Sequence, residues 1–198
     1  ISFLILSATI ILSCSKKEEE LTHKVFSSLK SSGIDFQNIL TENDSLNYFT
    51  YSYMYMGGGV ATGDINNDGL IDVYFTGNQV ENKLYLNKGN LQFEDITKSA
   101  NVAGDARWYT GVTMADVNND GFLDIYCSVA GKFQPKENQL FINNGDNTFT
   151  EKASEYGIAD AGNIIQATFF DYDNDGDLDL YNANYPITNF KAPNGYYQ

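Results

Sequence analysis

The chain has 198 residues, a hydrophobic fraction of 42% and a formal net charge of −14. That length permits one good core or several small repeated units, and that apolar content excludes a wholly disordered chain. Acidity on this scale excludes a nucleic-acid partner, which needs a basic face. Fourteen Tyr, thirteen Phe and seventeen Gly against three Pro predict many short strands joined by tight turns.

Residues 1–12 are apolar or small and carry no charge. The run is too short to cross a bilayer of about 30 Å. It reads as the apolar part of a secretory signal whose initiator Met and basic start are missing, so a truncated N-terminus is expected. Ile11-Leu12-Ser13-Cys14 resembles a bacterial lipobox, which implies cleavage after residue 13 and lipidation of Cys14. Residues 14–32 then form a charged tether, and Ser15-Lys16-Lys17-Glu18-Glu19-Glu20 is similar to the acidic export signal of surface lipoproteins in Bacteroidetes-type bacteria. An exported outer-membrane lipoprotein exposed at the surface is expected, touching the membrane through its lipid alone. The alternative is a plain signal peptide with a chance cysteine. His23 is the sole histidine and has no second histidine with which to build a zinc or triad constellation. Cys127 lies in a strand-like run and reads as a small buried hydrophobe. No disulfide is expected.

Residues 33–50 are expected to hold a lead-in strand. Phe36-Gln37-Asn38-Ile39-Leu40-Thr41 matches later segments beginning at Phe93 and Phe149, at successive offsets of 57 and 56. This predicts the outermost strand of a blade whose remainder lies beyond residue 198. Phe49, Tyr51, Tyr53 and Tyr55 alternate, which places four rings on one face of a strand.

The dominant motif begins at residue 64. Asp64-Ile65-Asn66-Asn67-Asp68-Gly69-Leu70-Ile71-Asp72 recurs as a loop from Asp116 to Asp124 and again from Asp171 to Asp179. Each reads D-x-[ND]-x-D-G-x-x-D. Oxygen side chains at positions 1, 3, 5 and 9, with glycine at 6, suit a hard cation. Calcium takes six to eight oxygens at about 2.3–2.6 Å, and the glycine permits a sharp turn around it. The expected ligands are Asp64, Asn66, Asp68 and Asp72, then Asp116, Asn118, Asp120 and Asp124, then Asp171, Asp173, Asp175 and Asp179. At position 7 the donor is the backbone carbonyl of Leu70, Phe122 or Asp177. Up to three Ca2+ ions are expected, and magnesium fits less well because it retains its waters. Asp173 and Asp177 are extra carboxylates, so the third loop is expected to differ in affinity. Eleven of the 26 acidic residues sit in these loops, leaving 15 acidic against 12 basic residues elsewhere.

The loops start 52 and 55 residues apart, and other features keep that period. Small and apolar strands precede them at residues 59–63, 111–115 and 166–170. β-Branched or aromatic strands follow at 73–75, 125–127 and 180–181. Third strands are expected within 82–89 and 138–145, and fourth strands at 93–97 and 149–153. Four short strands per unit at this period indicate β-propeller blades. An EF-hand is excluded, because loop position 12 holds Phe75, Cys127 or Asn182 in place of glutamate and the flanks are strands. The fold class is therefore all-β, a partial β-propeller with blades near residues 51–100 and 101–155 and part of a third at 156–198. Closed propellers have four to eight blades, so a larger parent protein is expected.

The Gly-Val-Ala-x-Gly-Asp lead, the aspartate loop and the following Asn-x-Leu-(Tyr/Phe)-(Leu/Ile)-Asn-x-Gly together resemble the FG-GAP or VCBS repeat of integrin α-subunit propellers. Tyr55-Met56-Gly57-Gly58-Gly59-Val60-Ala61 and Phe93-Glu94-Asp95-Ile96-Thr97 are similar to bacterial relatives of cartilage acidic protein, which often end in an ASPIC/UnbV domain. The resemblance implies a calcium-binding extracellular module for protein or glycan binding. The alternative is a polysaccharide lyase or hydrolase built on the same scaffold. Its paired carboxylates would stand about 5–9.5 Å apart. Glu94, Asp95, Glu137 and Glu151 are the available ones, but they occupy turn or outer-strand positions, and no catalytic residue is assigned. Arg107-Trp108-Tyr109 is either a rim contact or packing.

Overall fold

Each aspartate loop forces the chain back on itself, and the strands on either side pair into a hairpin. The computed structural model describes residues 28–29, 31–105, 107–131 and 133–186. The expected leader, Cys14 and His23 lie outside the described residues. The first hairpin joins β1 (Val60–Gly63) to β2 (Asp72–Phe75), and β3 (Lys83–Asn87) and β4 (Phe93–Asp95) complete an antiparallel sheet in the order β1-β2-β3-β4. The second sheet repeats it with β5 (Tyr109–Ala115), β6 (Asp124–Val129), β7 (Gln139–Asn143) and β8 (Phe149–Glu151). A third hairpin pairs β9 (Ile164–Phe170) with β10 (Asp179–Asn184). The strands expected around the three loops are thus present in the expected order. A one-turn helix, α1 (Thr97–Ala100), replaces the end of the fourth strand. It stops where Asn101 turns left-handed at φ 62° and its N–H caps the turn.

Period-two alternation on the middle strands distributes the core. Ile125 and Cys127 of β6 join Tyr74, Leu84 and Leu86 of the first sheet in one buried cluster. Tyr126, between them in sequence, points the other way and packs with Ala167 and Phe169 of the third hairpin. Each fully buried apolar side chain contributes about 1.5–3 kcal/mol. The core tyrosines also satisfy their hydroxyls: Tyr74 donates to the Val102 carbonyl at 2.6 Å, and Tyr126 to that of Ile158 at 2.9 Å. Tyr181 occupies the same place in the third repeat but is 62% exposed, since among the described residues no sheet packs on its face. Cys127 is buried and free, as its sequence context predicts.

The first strand of each repeat meets its neighbour backbone to backbone. Gly59 abuts Thr110, Gly111 and Val112, and Gly111 abuts Ile165 and Gln166. A Cβ on Gly111 would lie 2.5 Å from the Ile165 carbonyl oxygen and 2.9 Å from Gln166 Cα.

Two expectations are corrected. Residues 33–50 contain no strand. The segment from Phe36 to Thr41 supplies no outer strand to a distant blade and is held on the first sheet. Phe36 stacks on Phe75 at 4.9 Å, and Asn38 exchanges two hydrogen bonds with Asn78 at 2.6 and 3.0 Å. The second correction concerns the aromatic run. Residues 48–56 form successive turns, closed by N–H donors of Tyr51, Met54 and Met56 to carbonyls three or four residues back. Turns break the alternation, so Tyr51 and Met54 are buried while Phe49 is 94% exposed. Trp108 is buried against Tyr51 at 5.3 Å, which settles its role as packing.

Replacing Gly111 with Ala is expected to destabilise the chain by about 1–3 kcal/mol, the usual range for overpacking, measurable as a lower urea midpoint at unchanged slope.

Candidate metal centres

The three loops lie at the same end of their hairpins, because each links the first strand of a repeat to the second. Inside each, left-handed backbone at position 4 and position 6 curls the chain: φ is 58° at Asn67 and Asn119 and 62° at Asn174, then 84°, 90° and 96° at Gly69, Gly121 and Gly176. Asn tolerates this region and Gly suffers no penalty there.

Loops one and two are nearly superimposable in their bonding. Asp64 accepts from the N–H groups of Asp68 and Gly69 at 3.1 and 2.8 Å. Asp116 does the same with Asp120 and Gly121 at 3.0 and 2.8 Å. Asn66 Oδ1 accepts from Asp68 N–H, and Asn118 Oδ1 from Asp120 N–H, at 3.2 and 3.1 Å. Asn66 and Asn118 also donate from Nδ2 to Asp68 and Asp120 at 3.1 and 2.8 Å. Asp68 and Asp120 in turn accept from Leu70 N–H and Phe122 N–H, both at 2.9 Å. Side chains 1, 3 and 5 therefore converge inside the turn and offer hard oxygen donors, a set that fits calcium.

Position 9 is different. Asp72 and Asp124 are buried. Asp72 accepts from Ile65 N–H at 3.0 Å and from Asn87 N–H of β3 at 2.8 Å. Asp124 repeats this with Val117 at 2.9 Å and Asn143 of β7 at 2.8 Å. Each carboxylate fastens its loop to the third strand of the sheet. Burial pushes the Asp124 carboxyl up to about 6, opposed by its two N–H donors and reinforced by Asp120 and Asp116. Asp72 is raised for the same reason.

The third loop is more open. All residues from 171 to 179 are exposed. Asp179 accepts from Tyr172 N–H at 2.8 Å, but no third strand follows β10 among the described residues to bury it. Asp171 accepts from Gly176 N–H at 3.1 Å, and Asp175 from Asp177 N–H at 2.9 Å. One carboxylate oxygen from each of Asp171, Asp173 and Asp179 lies within 4.8 Å of the others, as oxygens sharing a cation at about 2.4 Å would.

Chain comparison fits this architecture. The FG-GAP-like repeat family matches residues 54–127 and 129–181, spanning all three loops. The chain is an FG-GAP repeat protein. Cartilage acidic protein 1 of Xenopus tropicalis is 32% identical over 135 residues, covering 66% of this chain and 20% of that protein. The FG-GAP chain thus spans about a fifth of the curated relative it matches.

The opposite end of this FG-GAP chain carries a feature that sequence reasoning missed. A cavity of about 660 Å³ opens there between the β2–β3 turn, the link from the first sheet to the second and the β6–β7 loop. Phe133, stacked on Trp108 at 5.4 Å, lies beside Arg107, Asp105 and Glu81. Arg107 is fixed by Asp105 at 3.0 Å. The only signal in the sequence was Arg107-Trp108-Tyr109. The roles of Asn87 and Asn143 were equally hidden, although both stand at one place in the repeated third-strand motif. Among the carboxylates weighed for catalysis, Asp95 is paired with Lys83 at 2.7 Å, Glu94 lies 3.7 Å from Lys88, and Glu151 accepts from Ala153 N–H at 3.0 Å. Glu137 lends its backbone carbonyl to Arg107.

With calcium chelated, stability is expected to fall as pH rises from about 4 to about 6. Asp124 titrates near 6 folded against an ordinary 3.8, so the folded state holds the extra proton in that window and loses the benefit above it. Chemical denaturation at stepped pH checks the sign, and Asp124→Ala should reduce the slope, leaving the part that the raised Asp72 carboxyl contributes.

Proposed function

We propose that this chain is a calcium-binding extracellular β-propeller module that engages a protein or glycan at the bacterial surface. FG-GAP repeats point to an adhesion-type module, and the recurrence of an oxygen-rich loop at one end of all three hairpins supports calcium as its cation. Calcium would supply positive charge between carboxylates at positions 1, 5 and 9 that otherwise repel. The chain's own residues shape the turn and tie it to the sheet. In this reading the loops are clips rather than the partner surface.

The partner surface is the opposite end, where the 660 Å³ cavity has the size and mixed lining of a ligand site. Phe133 offers a ring edge or face, and Arg107, Asp105 and Glu81 offer polar contacts suited to sugar hydroxyls or a polar peptide. Export and attachment through Cys14 complete the proposal, with no step of catalysis assigned to the chain.

Calorimetric titration of folded, chelator-treated chain with CaCl2 is expected to release heat and to raise the melting temperature. Saturation at 100 times the dissociation constant stabilises by about 2.7 kcal/mol per site. Absence of both heat and shift overturns the calcium reading. Glycan-array binding should require calcium and weaken on Phe133→Ala with Arg107→Ala. Depolymerisation of an array glycan by the same sample would favour the lyase or hydrolase alternative.

A further inference from the structure

Loops one and two are joined to each other by hydrogen bonds at two places. Asn67, at position 4 of the first loop, donates from Nδ2 to the Gly121 carbonyl in the second at 2.9 Å. Gly121 N–H in turn donates to Asp116 at 2.8 Å. Asn143 makes the second contact. Its Nδ2 reaches back to the Ile65 carbonyl at 2.8 Å and also to Leu123 at 3.1 Å. Its own N–H holds Asp124, while Ile65 N–H holds Asp72. The two buried closing carboxylates are therefore connected by one run of residues, Asp72 to Ile65 to Asn143 to Asp124. Gly63, immediately before Asp64, leaves no room for a side chain beside the second loop, since a Cβ there would stand 2.5 Å from Leu123 Cδ1.

The pairing stops there. Asn119 has the same left-handed backbone as Asn67, yet among the described residues no hydrogen bond joins the second loop to the third. The third loop is exposed throughout.

These contacts fix positions 2 and 4 of the first loop using groups that belong to, or hold, the second. A loop already ordered by its neighbour loses less conformational freedom when it closes on a cation. Whatever one site contributes to the other's affinity is returned by the same factor. We propose that the loops at residues 64–72 and 116–124 bind calcium as a coupled pair, with positive cooperativity, while the loop at 171–179 binds independently. The proposal rests on the calcium reading above.

The test is calorimetric titration of the full chain with CaCl2, in a background where Asp171→Ala and Asp175→Ala silence the third loop. The remaining pair should fill more steeply than two independent sites. Adding Asp64→Ala and Asp68→Ala should leave a second-loop site weakened at least about fivefold. Asn67→Gly provides a milder variant, since it keeps the left-handed turn and removes only the amide. It should flatten the isotherm toward independence while circular dichroism stays unchanged. Silencing the third loop alone should leave the pair's affinities within about twofold of those in the parent chain, by the same independence argument. Two independent sites in the parent pair, or an unchanged isotherm in Asn67→Gly, would overturn the coupling and leave calcium binding intact. Absence of calcium heat and of any melting shift in every variant would overturn both readings together.

Discussion

A buried carboxylate with two backbone donors closes each of the first two loops, and the rest of the blade geometry depends on it. Asp72 and Asp124 each bind an N–H from their own loop and another from the third strand of the sheet. Without that carboxylate the hairpin and the third strand would each carry an unpaired donor in a buried place. Leaving such groups unmet costs about 1–3 kcal/mol each. The same burial raises the carboxyl group's proton affinity, so the loop's anchor is also its least comfortable charge. A neighbouring cation would relieve that conflict.

The anchor also explains why the repeats are alike inside and unlike at their surfaces. Where a third strand is present, position 9 is buried and its loop is braced. At Asp179 no such strand lies among the described residues, and the whole loop is exposed. Tyr74, Tyr126 and Tyr181 tell the same story in the core. Two are buried because the next sheet covers them, and the third is exposed. Equivalent positions of the repeat therefore meet different environments according to which neighbour packs on them.

The two ends of the hairpins differ in build. One end is given over to tight acidic turns whose shape is set by φ-positive Asn and Gly. The other carries connections of unequal length that leave a cavity edged by Phe133, Arg107 and Asp105. Loops that vary in length on a rigid scaffold are the usual place for recognition. The first-sheet face away from the second sheet is occupied by Phe36 on Phe75, with Asp35 accepting from Tyr85 at 2.6 Å. That segment is part of the first sheet's packing rather than of a remote blade.

The sequence by itself determined the strands, their order and the three loops. Alternation, Asn and Gly turn residues and ligand spacing are local rules, and a period of about fifty residues repeated them often enough to be read. It also determined the family, through motifs that recur in register. Only the tertiary structure decided that residues 36–41 lie against the first sheet and that residues 48–56 turn instead of extending. Stacking on Phe75 and the Asn38–Asn78 pair are long-range contacts that no local pattern encodes. Tertiary packing alone made position 9 a buried staple as well as a candidate ligand, because its second N–H donor comes from a strand fifteen or more residues away. It also linked the first two loops through Asn67 and Asn143, since proximity between blades is a property of the packed sheets and not of either loop.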